Sequence, residues 1–236
     1  MIFFINLSIN ILVMALKNNK ISGDFFEVKD CAIITRMGGV ESAINLRELK
    51  ERLITCSIDC LYFHFCETLI RPAFDNPEYR NDFALWAAYK LRDRALAERL
   101  GIINPYSFSN LEELREKIVE IIEDRLSSLD YIPSVPKGDE FIFMRAATVV
   151  FDTGIVLKEP SDLLFKLPTM SKSTLYYHFM EARRRTQDRV DDFTFWLLFH
   201  PENNQKIIET LSQIDFYFIN LNELKSVLIK TLKKVI

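Results

Sequence analysis

The most regular pattern along the chain is helical. Leu111, Leu114, Ile118, Ile122 and Leu126 recur at steps of three and four, and so do Leu221, Leu224, Leu228, Leu232 and Ile236. That spacing lays an apolar stripe down one face of an α-helix. Ser109 or Asn110 stands before the first stretch, with Glu112 and Glu113 in its opening turn, which supplies a cap and an acidic complement to the helix dipole. Asn81-Asp82 and Asp191-Asp192 sit directly before Phe-x-x-Trp and read as the caps of further helices. Alternating strand patterns are scarce; "FIFMRAATVVF" at 141–151 is the one run of ambiguous period. The pattern predicts an all-α chain.

Self-comparison adds a second expectation. "SIDCLYFHFCETLIR" (57–71) lies over "SKSTLYYHFMEARRR" (171–185) without a gap, and "NDFALW" (81–86) lies over "DDFTFW" (191–196). The two periodic stretches above correspond in the same order. Ordered blocks of this kind are the signature of an internal repeat. The reading is two tandem copies of a four- to five-helix domain, residues 24–128 and 139–236. They are joined by a linker at 129–138, "LDYIPSVPKG", whose prolines and glycine punctuate the chain.

Residues 1–23 form an apolar tail that opens "MIFFINLSINILVMAL". No positive charge precedes it, polar residues interrupt it, and it is short for a bilayer span, so no membrane segment is expected. "MALKNNK" from Met14 reads as an ordinary cytosolic start, and Met14 is the expected first residue.

Composition sharpens the class. Apolar residues make up 49% of the chain, with 19 Phe, 6 Gly and 8 Pro, which fits a packed globular protein and excludes disordered or fibrous ones. Net charge is −3. Neither half has the basic excess that phosphate neutralisation draws on: 17 Lys/Arg face 20 Asp/Glu in residues 1–138, and 13 face 13 in 139–236. The four cysteines, Cys31, Cys56, Cys60 and Cys66, all lie in the first half. That distribution argues against a disulfide framework and fits a cytoplasmic protein.

The candidate chemistry is a polar stripe. On a helix, Ser57, Cys60, His64, Glu67 and Arg71 fall at steps of three and four beside an apolar face, and Ser171, Thr174, His178, Glu181 and Arg185 repeat the row. With Asp82, Trp86, Asp192 and Trp196 this gives a candidate ligand-binding set: His64, Glu67, Arg71, Asp82 and Trp86, and His178, Glu181, Arg185, Asp192 and Trp196. A charge-tuned imidazole in such a row suits a general base or an anion holder. The plainer alternative is a row of satisfied polar groups flanking a core, with the aspartates as caps and the tryptophans as filler. No activated nucleophile, phosphate-cradling glycine loop or His-Glu-x-x-His string is present, so no catalytic residue and no cofactor are expected. Cys56, Cys60 and His64 share a helical face over two turns, but only adjacent turns chelate together. The second copy offers Met170, Thr174 and His178, which is no zinc set, so no metal is expected either.

Two resemblances bear on function. "SKSTLYYHF" (171–179) resembles the DNA-reading helix of TetR-type repressors. In that family the helix lies close to the N-terminus, after a small-residue turn, among basic residues that grip phosphates. Here it lies beyond residue 170, Pro168 and Thr169 occupy the turn, and the copy at 57–65 carries Asp59. Arg183, Arg184, Arg185 and Arg189 are the feature in its favour, and a solvated face accounts for them. Nucleic acid is therefore not the expected partner.

The blocks "FEVKDC", "LRELKERL", "LYFHF", "NPEYRNDFALWAAYKLRDRALAERLGIINPY" and "LEELREKIVEIIEDRL" resemble a bacterial and archaeal family of small helical domains of unknown function. That family is marked by Tyr-x-His-Phe, Asn-Asp-Phe-Ala-x-Trp, Leu-Ala-Glu-Arg-Leu and Asp-Pro-Tyr blocks. Residues 25–126 match nearly throughout. The second copy keeps Tyr176, His178, Asp192, Phe193 and Trp196, but has Asp191 for Asn and Asp215-Phe216-Tyr217 for Asp-Pro-Tyr. Members sometimes stand beside glycosyltransferase or trehalose-related domains, so the resemblance implies an accessory role near carbohydrate metabolism and transfers no chemistry. The expected protein is a non-catalytic binding or regulatory module whose partner is a protein or a sugar-related small molecule. A TetR-like DNA-binding regulator and a small-molecule enzyme using the repeated His/Glu/Arg/Asp set are the competing readings.

Overall fold

The computed structural model describes residues 25–71, 78–186, 188–199 and 201–236; the tail at 1–23 and the start at Met14 lie outside the described residues. Two long strands correct the all-α expectation. β1 (Phe26–Met37) pairs with β2 (Met144–Leu157) in a two-stranded sheet. The pairing is antiparallel: the Gly38 N–H donates to the Phe143 carbonyl at 2.7 Å, and Ala43 bridges Phe141 antiparallel just beyond. β2 takes in most of the ambiguous 141–151 run.

The strands escaped the periodicity for a physical reason. Only the start of β1 alternates cleanly, with Phe26 and Val28 buried, and most of β2 is exposed or half-buried. A ribbon with so little buried face does not impose a period of two on its sequence. What it retains is β-branched and aromatic content, as in Ile33-Ile34-Thr35 and Val149-Val150-Phe151, which suits a pleated surface.

Tandem copies are also corrected. One compact unit is continuous, Ile33–Thr148, whereas the other joins the described residues 25–32 with Val149–Ile236. Each strand therefore contributes to both units. The helical blocks differ too: 58–65 is α-helical, but Tyr176–Glu181 is π-helical.

In the 33–148 unit, α1 (Leu46–Thr55), α2 (Ile58–Phe65), α3 (Asp82–Tyr89), α4 (Arg94–Gly101) and α5 (Leu111–Ser127) enclose one core. Leu53, Leu61, Phe65, Phe83, Leu100 and Ile118 are fully buried in it. Side-chain caps set the helix starts: Asn81 accepts from the Ala84 N–H, Asp93 from Leu96, and Asn110 from Glu112 and Glu113. Asn110, not Ser109, is thus the cap of α5, and each such cap satisfies an amide that would otherwise lack a partner. Gly38 has no room for a side chain, because a Cβ there would stand 2.7 Å from Cys60 Sγ and 2.8 Å from the Phe143 carbonyl oxygen.

The other unit holds α6 (Pro160–Lys166), α7 (Lys172–Leu175), the π-helical turn Tyr176–Glu181, α8 (Ala182–Arg185), α9 (Asp192–Leu197), α10 (Pro201–Ser212) and α11 (Leu221–Leu232). Leu167, Tyr176, Phe179, Phe193, Tyr217 and Leu228 fill its core. Asn220 and Glu223 form a reciprocal capping box on α11. That helix stops at Leu232, so the predicted stripe loses its last member, Ile236, to solvent.

Candidate functional site

His64 lies in the last turn of α2, Asp82 is the first residue of α3, and Arg71 follows the short 3-10 turn Glu67–Leu69. The turn brings the three side chains to one point. Asp82 Oδ2 accepts from His64 Nδ1 at 2.6 Å and from Arg71 Nη2 at 2.7 Å. The Arg71 guanidinium lies 4.3 Å from the Phe63 ring centre, a cation–π distance. On its other side His64 Nε2 accepts from the Met144 N–H at 2.9 Å. The first residue of β2 is therefore hung on a buried imidazole.

The other unit wires the same residue types. His178 Nδ1 is 2.8 Å from Asp192 Oδ2, Arg185 Nη2 donates to that oxygen at 2.8 Å, and His178 Nε2 accepts from the Lys29 N–H of β1 at 2.8 Å. The Arg185 guanidinium stacks 4.1 Å from the Tyr177 ring and its Nε bonds Glu181. Phe26 covers the imidazole at 4.9 Å between ring centres, as Phe141 covers His64 at 4.8 Å.

This geometry sets which ring nitrogen donates and which accepts in both histidines. An Nε2 that receives an N–H bond carries no proton, so the neutral ring bears its proton on Nδ1 and donates it to the aspartate. Burial pushes the His64 pKa below its ordinary value, against the opposing pull of Asp82. Burial also works against the charge on Asp82, but the hydrogen bond from His64 and the Arg71 guanidinium outweigh it and hold the carboxyl below its usual range. For Asp191, which caps α9, burial prevails and the pKa rises despite Arg183 Nη2 at 3.1 Å. With both ring nitrogens in use, neither His64 nor His178 has a lone pair left for a metal or a substrate proton.

The predicted residues fall into three groups. His64, Arg71, Asp82 and Trp86 all line one cleft of about 750 Å³ in the 33–148 unit, and Glu67 is buried outside that lining. His178, Glu181, Arg185 and Asp192 form the bonded set in the other unit. The Trp196 ring packs against Phe26 at 5.6 Å. The cleft also takes in Thr35, Tyr79, Tyr89, Lys90 and Glu140, none of which the sequence pattern singled out. The Trp86 indole N–H donates to the Asp139 carbonyl at 2.8 Å, and Lys90 Nζ pairs with Asp139 Oδ1 at 2.5 Å.

Other groups face inward. Cys31, Cys56, Cys60 and Cys66 are buried, and burial pushes the Cys56 thiol up to about 11. Within "SKSTLYYHF", Leu175, Tyr176, His178 and Phe179 are buried. Among the described residues no helix is long and apolar enough to cross a membrane, and no group of three or more His, Cys, Asp or Glu is placed to hold a metal.

Fold and site together define a mixed α/β protein in which buried histidines, each bonded to an aspartate that also pairs with an arginine, hold the strands of a two-stranded ribbon. The chain belongs to the family described as a family of unknown function (DUF5752), whose model matches residues 23–233. Its fold is similar to that of OrfY from Thermoproteus tenax, with 24% identity, a TM-score of 0.74, and coverage of 89% of this chain and 94% of that one. That likeness shows a shared fold. No curated protein matches the sequence.

Proposed function

We propose that this protein is a non-catalytic binding module of the cytoplasm, with the cleft of the 33–148 unit as its binding site. One observation carries the reading: the imidazole that lines the cleft is spent on the protein itself, Nδ1 on Asp82 and Nε2 on the Met144 N–H. A general base needs a free lone pair within reach of a substrate proton, and His64 offers none. The cleft falls in the size range of small-molecule sites. A chain whose four cysteines all lie in its first half, buried in the fold, suits a reducing compartment. The inward burial of Tyr176, His178 and Phe179 weighs against the DNA-binding alternative, because a reading helix must project its side chains into a groove.

The test is a thermal-shift panel of sugars, sugar phosphates, nucleotide sugars and divalent metals on the full chain. A ligand that binds only the folded state raises the melting temperature by mass action, by an amount that grows with its concentration. The same compounds are followed for turnover. Stabilisation without product formation is expected. Turnover that the variants His64→Gln and His178→Gln abolish would replace this reading with the enzyme alternative.

A further inference from the structure

We infer that the cleft of the 33–148 unit receives a neutral, polyhydroxylated ring compound of one or two rings; this rests on reading the protein as a binding module and names the ligand class of that site. Charge in the lining discriminates between ligand classes. The lining carries Arg71, Arg80 and Lys90 against Asp82 and Glu140, a difference of one positive charge with His64 neutral. Arg71 is already paired with Asp82 at 2.7 Å, and Lys90 with Asp139 at 2.5 Å. At Arg71 or Lys90 a phosphate or carboxylate ligand would have to compete with those internal pairs, and breaking the partly buried Arg71–Asp82 pair leaves a charge uncompensated. A purely apolar ligand would strip water from the same groups and return no hydrogen bond.

A hydroxyl both donates and accepts. It therefore bonds a guanidinium or ammonium N–H and the neighbouring carboxylate together, without disturbing the pair. Vicinal hydroxyls on a ring do so at fixed spacing. The remaining lining suits the faces of such a ring. Of the bordering rings, Phe63 already faces the Arg71 guanidinium, Phe141 stacks on Phe83, and Tyr79 and Trp86 are buried. Tyr89 is therefore the ring that can meet a sugar face, whose weakly positive C–H groups an electron-rich aromatic face attracts. Tyr89 is the most open of these rings, 58% exposed, with its hydroxyl held by Glu78 at 2.8 Å. The volume of about 750 Å³ leaves room for a ligand with bridging waters.

The chain contains two tryptophans, Trp86 and Trp196, and only Trp86 borders the cleft. The test titrates indole-15N-labelled full-length protein with glucose, maltose and myo-inositol, and in parallel with inorganic phosphate, glucose 6-phosphate and cyclohexanol. The Trp196→Phe variant assigns the two indole signals. Neutral polyols are expected to move the Trp86 signal saturably, because its N–H shares Asp139 with Lys90. Tyr89→Ala is expected to weaken that binding about tenfold, through the loss of one stacking face, with an unchanged melting temperature. Several results would overturn the ligand class. They are a Trp86 response to phosphate or glucose 6-phosphate alone, a response to cyclohexanol equal to that to glucose, or polyol binding that Tyr89→Ala leaves intact. Each of those leaves the binding-module reading standing. Silence of Trp86 towards every probe overturns the ligand class, and the thermal panel then decides the module. Hydrolysis of maltose that accompanies saturable binding overturns the module and keeps the ligand class.

Discussion

Replacing His64 with Phe isolates the imidazole's role as a strand anchor. The substitution keeps a ring of similar bulk in the buried position between Phe83 and Phe141, whose ring centres lie 5.5 and 4.8 Å from that of His64. It removes two hydrogen bonds. The Asp82 carboxylate loses a donor at 2.6 Å, and such charge-assisted bonds contribute about 1.5–3 kcal/mol. Asp82 stays at the low end of that range, because it is partly exposed and keeps Arg71. The Met144 N–H loses its acceptor at 2.9 Å, which costs about 1–3 kcal/mol where water cannot replace it; this amide is only part-buried, so the low end applies again. The total is about 2–4 kcal/mol, which for a unit of about a hundred residues lowers the melting temperature by about 8–16 °C. Urea denaturation followed by fluorescence measures the loss. Amide exchange at Met144 reports whether the anchor itself opened, since sub-global opening precedes global unfolding where contacts are weak. A double-mutant cycle with Asp82→Asn isolates the pair. A loss below about 0.5 kcal/mol, the range of an indifferent surface change, with unaltered exchange at Met144, would refute the anchoring role.

Three further outcomes are expected. His64 is neutral when folded and takes up a proton on unfolding below its ordinary value of 6.5, so the urea midpoint of the 33–148 unit should fall as pH drops below that value, and His64→Phe should flatten that slope. Gly38→Ala forces a methyl against Cys60 Sγ and the backbone of Phe143; overpacking of this kind costs about 1–3 kcal/mol, and circular dichroism melting should show the loss, with an unchanged midpoint refuting the close approach. Cys56, whose thiol burial pushes up to about 11, and the three other buried cysteines should resist iodoacetamide in the native protein and react once urea unfolds it, as mass spectrometry would show; rapid native labelling at Cys56 would contradict its burial.

The amphipathic stripes of α5 and α11 were legible because their spacing is enforced locally: each apolar residue faces one core across a single helix. The helix starts near Asn81, Asn110 and Asp191 were legible for the same reason, since a cap and the amide it satisfies lie within three residues. Which of each adjacent pair does the capping was not, and Asp82 and Asp192 prove to be first helical residues, not caps. Although the α-helix ends at Phe65 and only the fold brings Asp82 to His64 and Arg71, the row Ser57, Cys60, His64, Glu67 and Arg71, with its counterpart from Ser171 to Arg185, was visible beside the core. Its chemistry was not. The bond to Asp82 spans 18 residues and that to Met144 spans 80, while His178 is reached by Lys29 from 149 residues away. No local pattern encodes an acceptor for a backbone N–H so distant. The ribbon was hidden because little of it is buried. The grouping of residues 25–32 with Val149–Ile236 was hidden as well, because chain order does not dictate which segments pack together. The amino-acid order thus determined helices, caps and an inventory of polar groups. Tertiary contacts alone decided that the two imidazoles hold strands, since the role of each ring nitrogen depends on which donors and acceptors the fold brings to it.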